Sequence, residues 1–348
     1  MTKFHNKLKR TGSLLAVFML FLSNISCIST TSKSNSTIVF HTQDEEITVE
    51  IYKPIDNSYN QHFVSEKLKV KPNKKISYDI NINRFDFIQC CFPNGKHIVL
   101  LVEGGDHIEI SYTSEEILIS GSNAEGNNYY NNNYIKGGLG YYSDIIEKDI
   151  TEFPLDFTGI YNTLQHDLIE PSREDLKKME VSGSITPSFS SIMEKNLYLG
   201  YCSILHGTYD QWLTFKRNNY LITDYTPTDE DVRIMLLQLK NLYDASDATS
   251  YELSKLPYHF SSNYKLIYDH LDNEEKAELL DKNRDYIDSY YLLLPDSLEL
   301  SDYGQELIFA LQEWRLSSYA EERLLFLRNK YPDSEYVAII NNILSQKR

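Results

Sequence analysis

The chain has 348 residues, with 34 Lys+Arg against 50 Asp+Glu and a net charge of −16. With 41% apolar residues it can bury a sizeable core, which excludes a chain disordered by composition. The acidic balance excludes a nucleic-acid binder built on a basic face, and 4 Cys exclude a disulfide-dense scaffold.

Residues 1–26 read as a signal peptide. Lys3, Lys7, Lys9 and Arg10 form a basic start without an acidic residue. The apolar run Leu14 to Leu22 that follows is too short for a membrane span of about 20 residues. Ser26-Cys27, directly after this run, resembles the lipobox of bacterial lipoproteins, in which the Cys is lipidated and becomes the mature N-terminus. Asn24 departs from that pattern, which has a Leu-like residue three before the Cys. Ordinary cleavage, with Cys27 as an incidental thiol, is the alternative.

The segment 27–37 reads as a lipidated Cys followed by a Ser/Thr-rich flexible tether. It has no acidic residue after Cys27, which leans towards a periplasm-facing location. Without residues 1–26 the chain carries 30 Lys+Arg against 50 Asp+Glu, a net −20. A covalent lipid, not electrostatics, would then hold it at a membrane.

The length predicts two domains. From 38 to 122 the apolar period is close to two, as in Ile47, Val49, Ile51 and again in Ile76, Tyr78, Ile80, Ile82. Phe85, Phe87, Ile98, Leu100, Val102, Ile108, Ile110 and Tyr112 continue it. Such alternation predicts strands with one buried face. Turns are expected at Lys71-Pro72-Asn73, Pro93-Asn94-Gly95 and Gly104-Gly105-Asp106, the last as a hairpin. The fold class is therefore α+β, with an N-terminal antiparallel β-sandwich-like domain followed by a mostly α-helical domain over 123–348.

Gly121-Ser122-Asn123 predicts a turn and a cap, with a helix from Ala124. The Asn/Tyr-rich stretch from Asn127 to Tyr134 follows inside the helix-to-loop region. Helical segments are also expected within 159–220. Val232, Met235, Leu236, Leu239, Leu242 and Tyr243 form one stripe, capped by Thr228 with an acidic first turn. Leu307, Ile308, Leu311, Trp314 and Arg315 form another, starting at Ser301 or Asp302. Leu324, Leu325, Leu327 and Arg328 make a helix ended by Tyr331-Pro332. Asp333-Ser334 caps a last one carrying Val337, Ile340 and Leu344.

Candidate chemistry is sparse. Cys90-Cys91 is the one close cysteine pair, and adjacent cysteines lack the C-x-x-C spacing of disulfide oxidoreductases. On a strand one would point inward and the other outward. They stand as candidate redox residues, against a reading as a small buried residue beside an incidental thiol. Cys202 reads as core. The nine His, His259 and His270 among them, show no metal-ligand spacing, so no metal or cofactor is expected. No nucleophile elbow, phosphate-binding loop or dinucleotide-binding motif is present, and no catalytic residue is assigned. Glu45-Glu46, Glu115-Glu116, Glu274-Glu275 and Glu321-Glu322 read as solvated faces and helix starts. The 27 Tyr, dense at Tyr129-Tyr130, Tyr141-Tyr142, Tyr198, Tyr201 and Tyr290-Tyr291, fit either core packing or a glycan- or peptide-binding surface.

Two stretches carry a family resemblance: Phe85 to Tyr134, with a strand, a Gly-Asp turn, a strand and a Tyr-rich helix, and Phe326 to Leu344, with its Tyr331-Pro332-Asp333-Ser334 junction. Their order is similar to the N-terminal region of Bacteroidota thioredoxin-like lipoproteins. There a β-rich domain of unknown function and a helical segment precede a thioredoxin domain. The resemblance implies an envelope lipoprotein of the thiol-disulfide oxidoreductase type. This sequence ends at Arg348, where the resemblance places that domain, and contains no C-x-x-C. The expectation is a membrane-anchored binding or accessory protein with an unidentified protein or glycan partner. A truncated or split participant in periplasmic redox chemistry, and a glycan-binding accessory lipoprotein, are the alternatives.

Overall fold

A computed structural model of the chain describes residues 34–43, 45–56, 64–82, 84–133, 157–201, 228–234, 237, 273, 296–312 and 318–346. The expected signal peptide and Cys27 lie outside the described residues. So do Cys202, Trp314, His259, His270, Glu274-Glu275, Tyr141-Tyr142 and Tyr290-Tyr291.

Among the described residues eight strands form two four-stranded sheets. The first sheet contains β1 (Ser34–Thr42), β4 (Lys75–Ile82), β7 (His107–Tyr112) and β8 (Ile117–Gly121), in the order β4-β1-β7-β8. The second contains β2 (Ile47–Tyr52), β3 (Glu66–Val70), β5 (Phe85–Cys91) and β6 (His97–Glu103), in the order β3-β2-β5-β6. The sheets close on one shared core. Ile38, Phe40, Ile82, Ile108 and Ile110 of the first sheet meet Val49, Ile51, Ile88, Leu100 and Val102 of the second, each at most 1% exposed. Each such burial is worth about 1.5–3 kcal/mol, which is what the period-two spacing encodes. The α+β class and the N-terminal β domain are as expected.

Three details differ from expectation. Strand β1 starts at Ser34, inside the segment read as tether. Its polar residues give no apolar alternation, yet Ser36 is fully buried and Thr37 bonds Asp79 at 2.8 Å. The β1–β7 pairing is parallel, so the sandwich is not purely antiparallel. The Gly104-Gly105-Asp106 turn joins β6 to β7, which belong to different sheets, so it is a crossing between layers and not a hairpin. Glycine still serves the geometry, with Gly105 at φ +95°.

Strand β5 is buried on both faces, because helices cover the outer side of the second sheet. These are α1 (Ala124–Tyr129), α3 (Glu170–Ser182) and α4 (187–201), while α2 (Phe157–Leu164) leads into α3 through residues 165–169. Phe87, Val99 and Leu101 pack there against Tyr130, Leu176, Phe189 and Met193. Thr228 caps the turn over 229–234 as expected. Asp231 N–H donates to the Thr228 hydroxyl oxygen at 3.2 Å, and Thr228 N–H donates to the Asp231 carboxylate at 2.6 Å.

The last described residues form three helices, α5 (Asp296–Gln312), α6 (Ser318–Lys330) and α7 (Glu335–Gln346). Helix α5 begins at Asp296, ahead of the expected Ser301 or Asp302. Ser301 instead lies buried in its first turns, accepting from Gln305 Nε2 at 2.7 Å. Leu307, Ile308, Leu311, Leu324, Leu327, Val337 and Ile340 form the core as their spacing predicts, whereas Leu325 is 61% exposed. Ser334 caps α7, accepting from Val337 N–H at 3.3 Å. Ile55, from the segment after β2, is buried in this helical core.

Candidate functional site

The cysteine pair sits where strand geometry puts it. Cys90 faces the sandwich interior and is fully buried, while Cys91 faces the opposite side of β5 and is half-buried. Both are free thiols, and the pleat aims their sulfurs at opposite faces. Burial, with a smaller contribution from Cys91, pushes the Cys90 thiol well above its ordinary range. Burial and the nearby Glu50 carboxylate raise Cys91, opposed by a hydrogen bond that Gln89 Nε2 donates to its sulfur at 3.5 Å. The attacking species in thiol exchange is the thiolate, so this setting holds both cysteines in their inert form at neutral pH.

Beside Cys91 the outer face of the second sheet is polar. Glu50 accepts from the Tyr52 hydroxyl at 2.9 Å and pairs with Lys67 at 2.8 Å. Burial first, then Glu50, raises the Tyr52 phenol to about 12. A phenol so held is a hydrogen-bond donor and not a base.

A second polar cluster gathers at the β6–β7 crossing. The Asn123 amide donates to Glu103 at 3.0 Å and accepts from Thr186 N–H at 2.9 Å. The Thr186 and Ser188 hydroxyls both donate to the Glu103 carboxylate. Asp106 accepts from Glu103 N–H at 2.8 Å and lies within 3.4 Å of Asn123 Nδ2. Burial raises the Asp106 carboxyl above its ordinary value, against several hydrogen bonds that lower it. The sequence predicts Asn123 as a helix cap. It occupies the position before α1 but adopts φ +51° and makes no side-chain cap bond, spending its amide on this joint instead. The cluster ties the sandwich to the start of α4.

Neither group forms a metal centre: among the described residues no set of three His, Cys, Asp or Glu could hold an ion. Glu45, Glu46, Glu115, Glu116, Glu321 and Glu322 are exposed in turns and a first helical turn. Among the described residues the tyrosines are packing residues. Tyr112, Tyr130, Tyr201, Tyr303 and Tyr336 are buried, and Tyr129, Tyr161, Tyr198 and Tyr331 are half-buried. Sequence reasoning did not find the Glu103–Asn123–Thr186 joint, because its members lie up to 83 residues apart. Among the described residues no helix is long and apolar enough to cross a membrane. Comparison with known protein families and with curated proteins finds no match.

Proposed function

We propose that this chain is a lipid-anchored protein of the cell envelope that binds a protein or glycan partner and does not act as an enzyme. The observation that carries this reading is the N-terminal series: a basic start, the apolar run Leu14 to Leu22, Ser26-Cys27, and a folded body whose first strand begins at Ser34. The likeness to the non-catalytic region of thioredoxin-like lipoproteins supports the same reading. The raised Cys90 and Cys91 thiols favour it over a redox role. Of the described tyrosines, Tyr130, Tyr201, Tyr303 and Tyr336 are buried and offer no stacking face for a glycan there. The test is metabolic labelling with a fatty-acid precursor. Wild type should incorporate label and Cys27→Ala should not; equal labelling of the two would overturn the anchor.

A further inference from the structure

We infer that the sandwich stands on the membrane by its β6–β7 end, with the opposite set of turns directed outward; this rests on the proposed lipid at Cys27. The two ends are defined by strand direction. Ser34 opens β1 opposite Ile82, the last residue of β4. Thr37 N–H bonds the Asp106 carbonyl at 2.8 Å, and the Ser36 hydroxyl donates to the Glu103 carbonyl at 2.7 Å. The chain therefore enters the fold beside the β6–β7 crossing. At the other end His41 pairs with Lys75, Ile47 with Val70 and Cys91 with His97, so the turns over 45–46, 71–74, 92–96 and 113–116 share one tip.

Reach and charge set the orientation. Fully extended, the chain from Cys27 to Ser34 spans at most about 25 Å, at ~3.5 Å per residue. Strand β1 adds about another 25 Å between the base and the tip, at ~3.3 Å per residue. A body at net −20 is repelled by anionic headgroups, and a tether of so short a maximal reach leaves the attached end nearest the lipid.

The experiment uses the full chain, expressed in a host that lipidates and placed in vesicles containing anionic lipid and a headgroup-linked energy acceptor. A fluorescent amino acid replaces either Arg84 at the base or Lys74 at the tip, both exposed. Energy transfer from position 84 should exceed that from position 74 at least twofold. Equal or reversed transfer, with lipid on Cys27 verified by mass, would overturn the orientation and leave the anchor standing. Absence of that lipid mass would remove the anchor and the orientation with it.

Discussion

The side-chain amide of Asn127 takes the place of a neighbouring strand at Leu101. Leu101 N–H donates to Asn127 Oδ1 at 2.8 Å, and Asn127 Nδ2 donates to the Leu101 carbonyl at 3.1 Å. Asn131 repeats the arrangement at Val99, with bonds of 2.9 and 2.7 Å. Strand β6 is an edge of its sheet, and Val99 and Leu101 are fully buried. Two residues along a strand advance about 6.6 Å and four along a helix about 6 Å, so the two amides match alternate backbone units. Asn128 Nδ2 donates to the Ile119 carbonyl of β8, an edge of the other sheet, at 2.9 Å. One short helix thereby blunts two edges that would otherwise offer unpaired backbone.

Replacing Asn131 by Asp should therefore unfold the protein more readily. The change removes the donor to the Val99 carbonyl and buries an acceptor against an acceptor, and an unmet buried group costs about 1–3 kcal/mol. Asn133→Asp, at an exposed neighbour, should stay within about 0.5 kcal/mol of wild type. Urea midpoints of the two variants make the comparison, and equal shifts would remove the role given to Asn131.

The alternation that encodes the sandwich core is visible in β2, β4, β6 and β7, as are the helical stripes of α5 and α7, whereas Phe85 and Phe87, which continue the pattern in sequence, pack outward against the helices. This holds because period-two and period-3.6 burial are local properties. What the sequence hides is pairing at a distance. The stretch from Asn127 to Asn131 reads as a polar, loop-prone run, and only the neighbouring strand edge gives its amides a purpose. Ser34 to Thr37 read as tether because their partners, Asp79, Glu103 and Asp106, lie some 40 to 70 residues on. The inward and outward cysteines, by contrast, follow from adjacency on a strand and need no tertiary knowledge.

Asp56 supplies a cap to a helix far along the chain. Its carboxylate accepts from Glu335 N–H at 3.0 Å and Tyr336 N–H at 3.3 Å, filling unpaired donors at the start of α7. Its φ of +50° favours Asn or Gly as replacements for the backbone, so Asp56→Gly isolates the loss of the carboxylate. The variant should lose about 1 kcal/mol. Hydrogen exchange should quicken over 335–340 while the β5 and β6 amides keep their protection. Unchanged exchange at α7 would mean that Ser334 alone caps it.

Thiol chemistry separates the two cysteines. A thiol reagent at pH 8 should react slowly with Cys91 and not at all with Cys90 until denaturant is added. Removing the Glu50 charge in Glu50→Gln lowers the Cys91 pKa, so its reaction should speed up, while Cys90 stays silent. Mass mapping of the modified peptide residue by residue reads the result. Fast labelling of Cys90 in the folded protein would contradict the burial assigned to it.

Stability should fall on the alkaline side. Cys90, Tyr52, Tyr78 and Tyr336 all have folded-state pKa values raised mainly by burial above their ordinary 9.0 or 10.0. Each is neutral when protonated, so above pH 9 the unfolded chain releases protons that the folded chain retains. The stabilisation is fully present below the unfolded pKa and is lost as pH rises through that window towards the folded pKa. For Cys90 alone, at ~1.4 kcal/mol per pH unit, the loss by pH 11 is about 2–3 kcal/mol. Urea midpoints should thus be level from pH 7 to 8.5 and decline from pH 9 to 11. Cys90→Ala starts less stable, because it opens a cavity, but it should decline less steeply between pH 9 and 10, where the thiol is the first of these groups to titrate in the unfolded chain. A wild-type curve flat to pH 11, or identical slopes for the two proteins, would show that the Cys90 proton is not held by the fold.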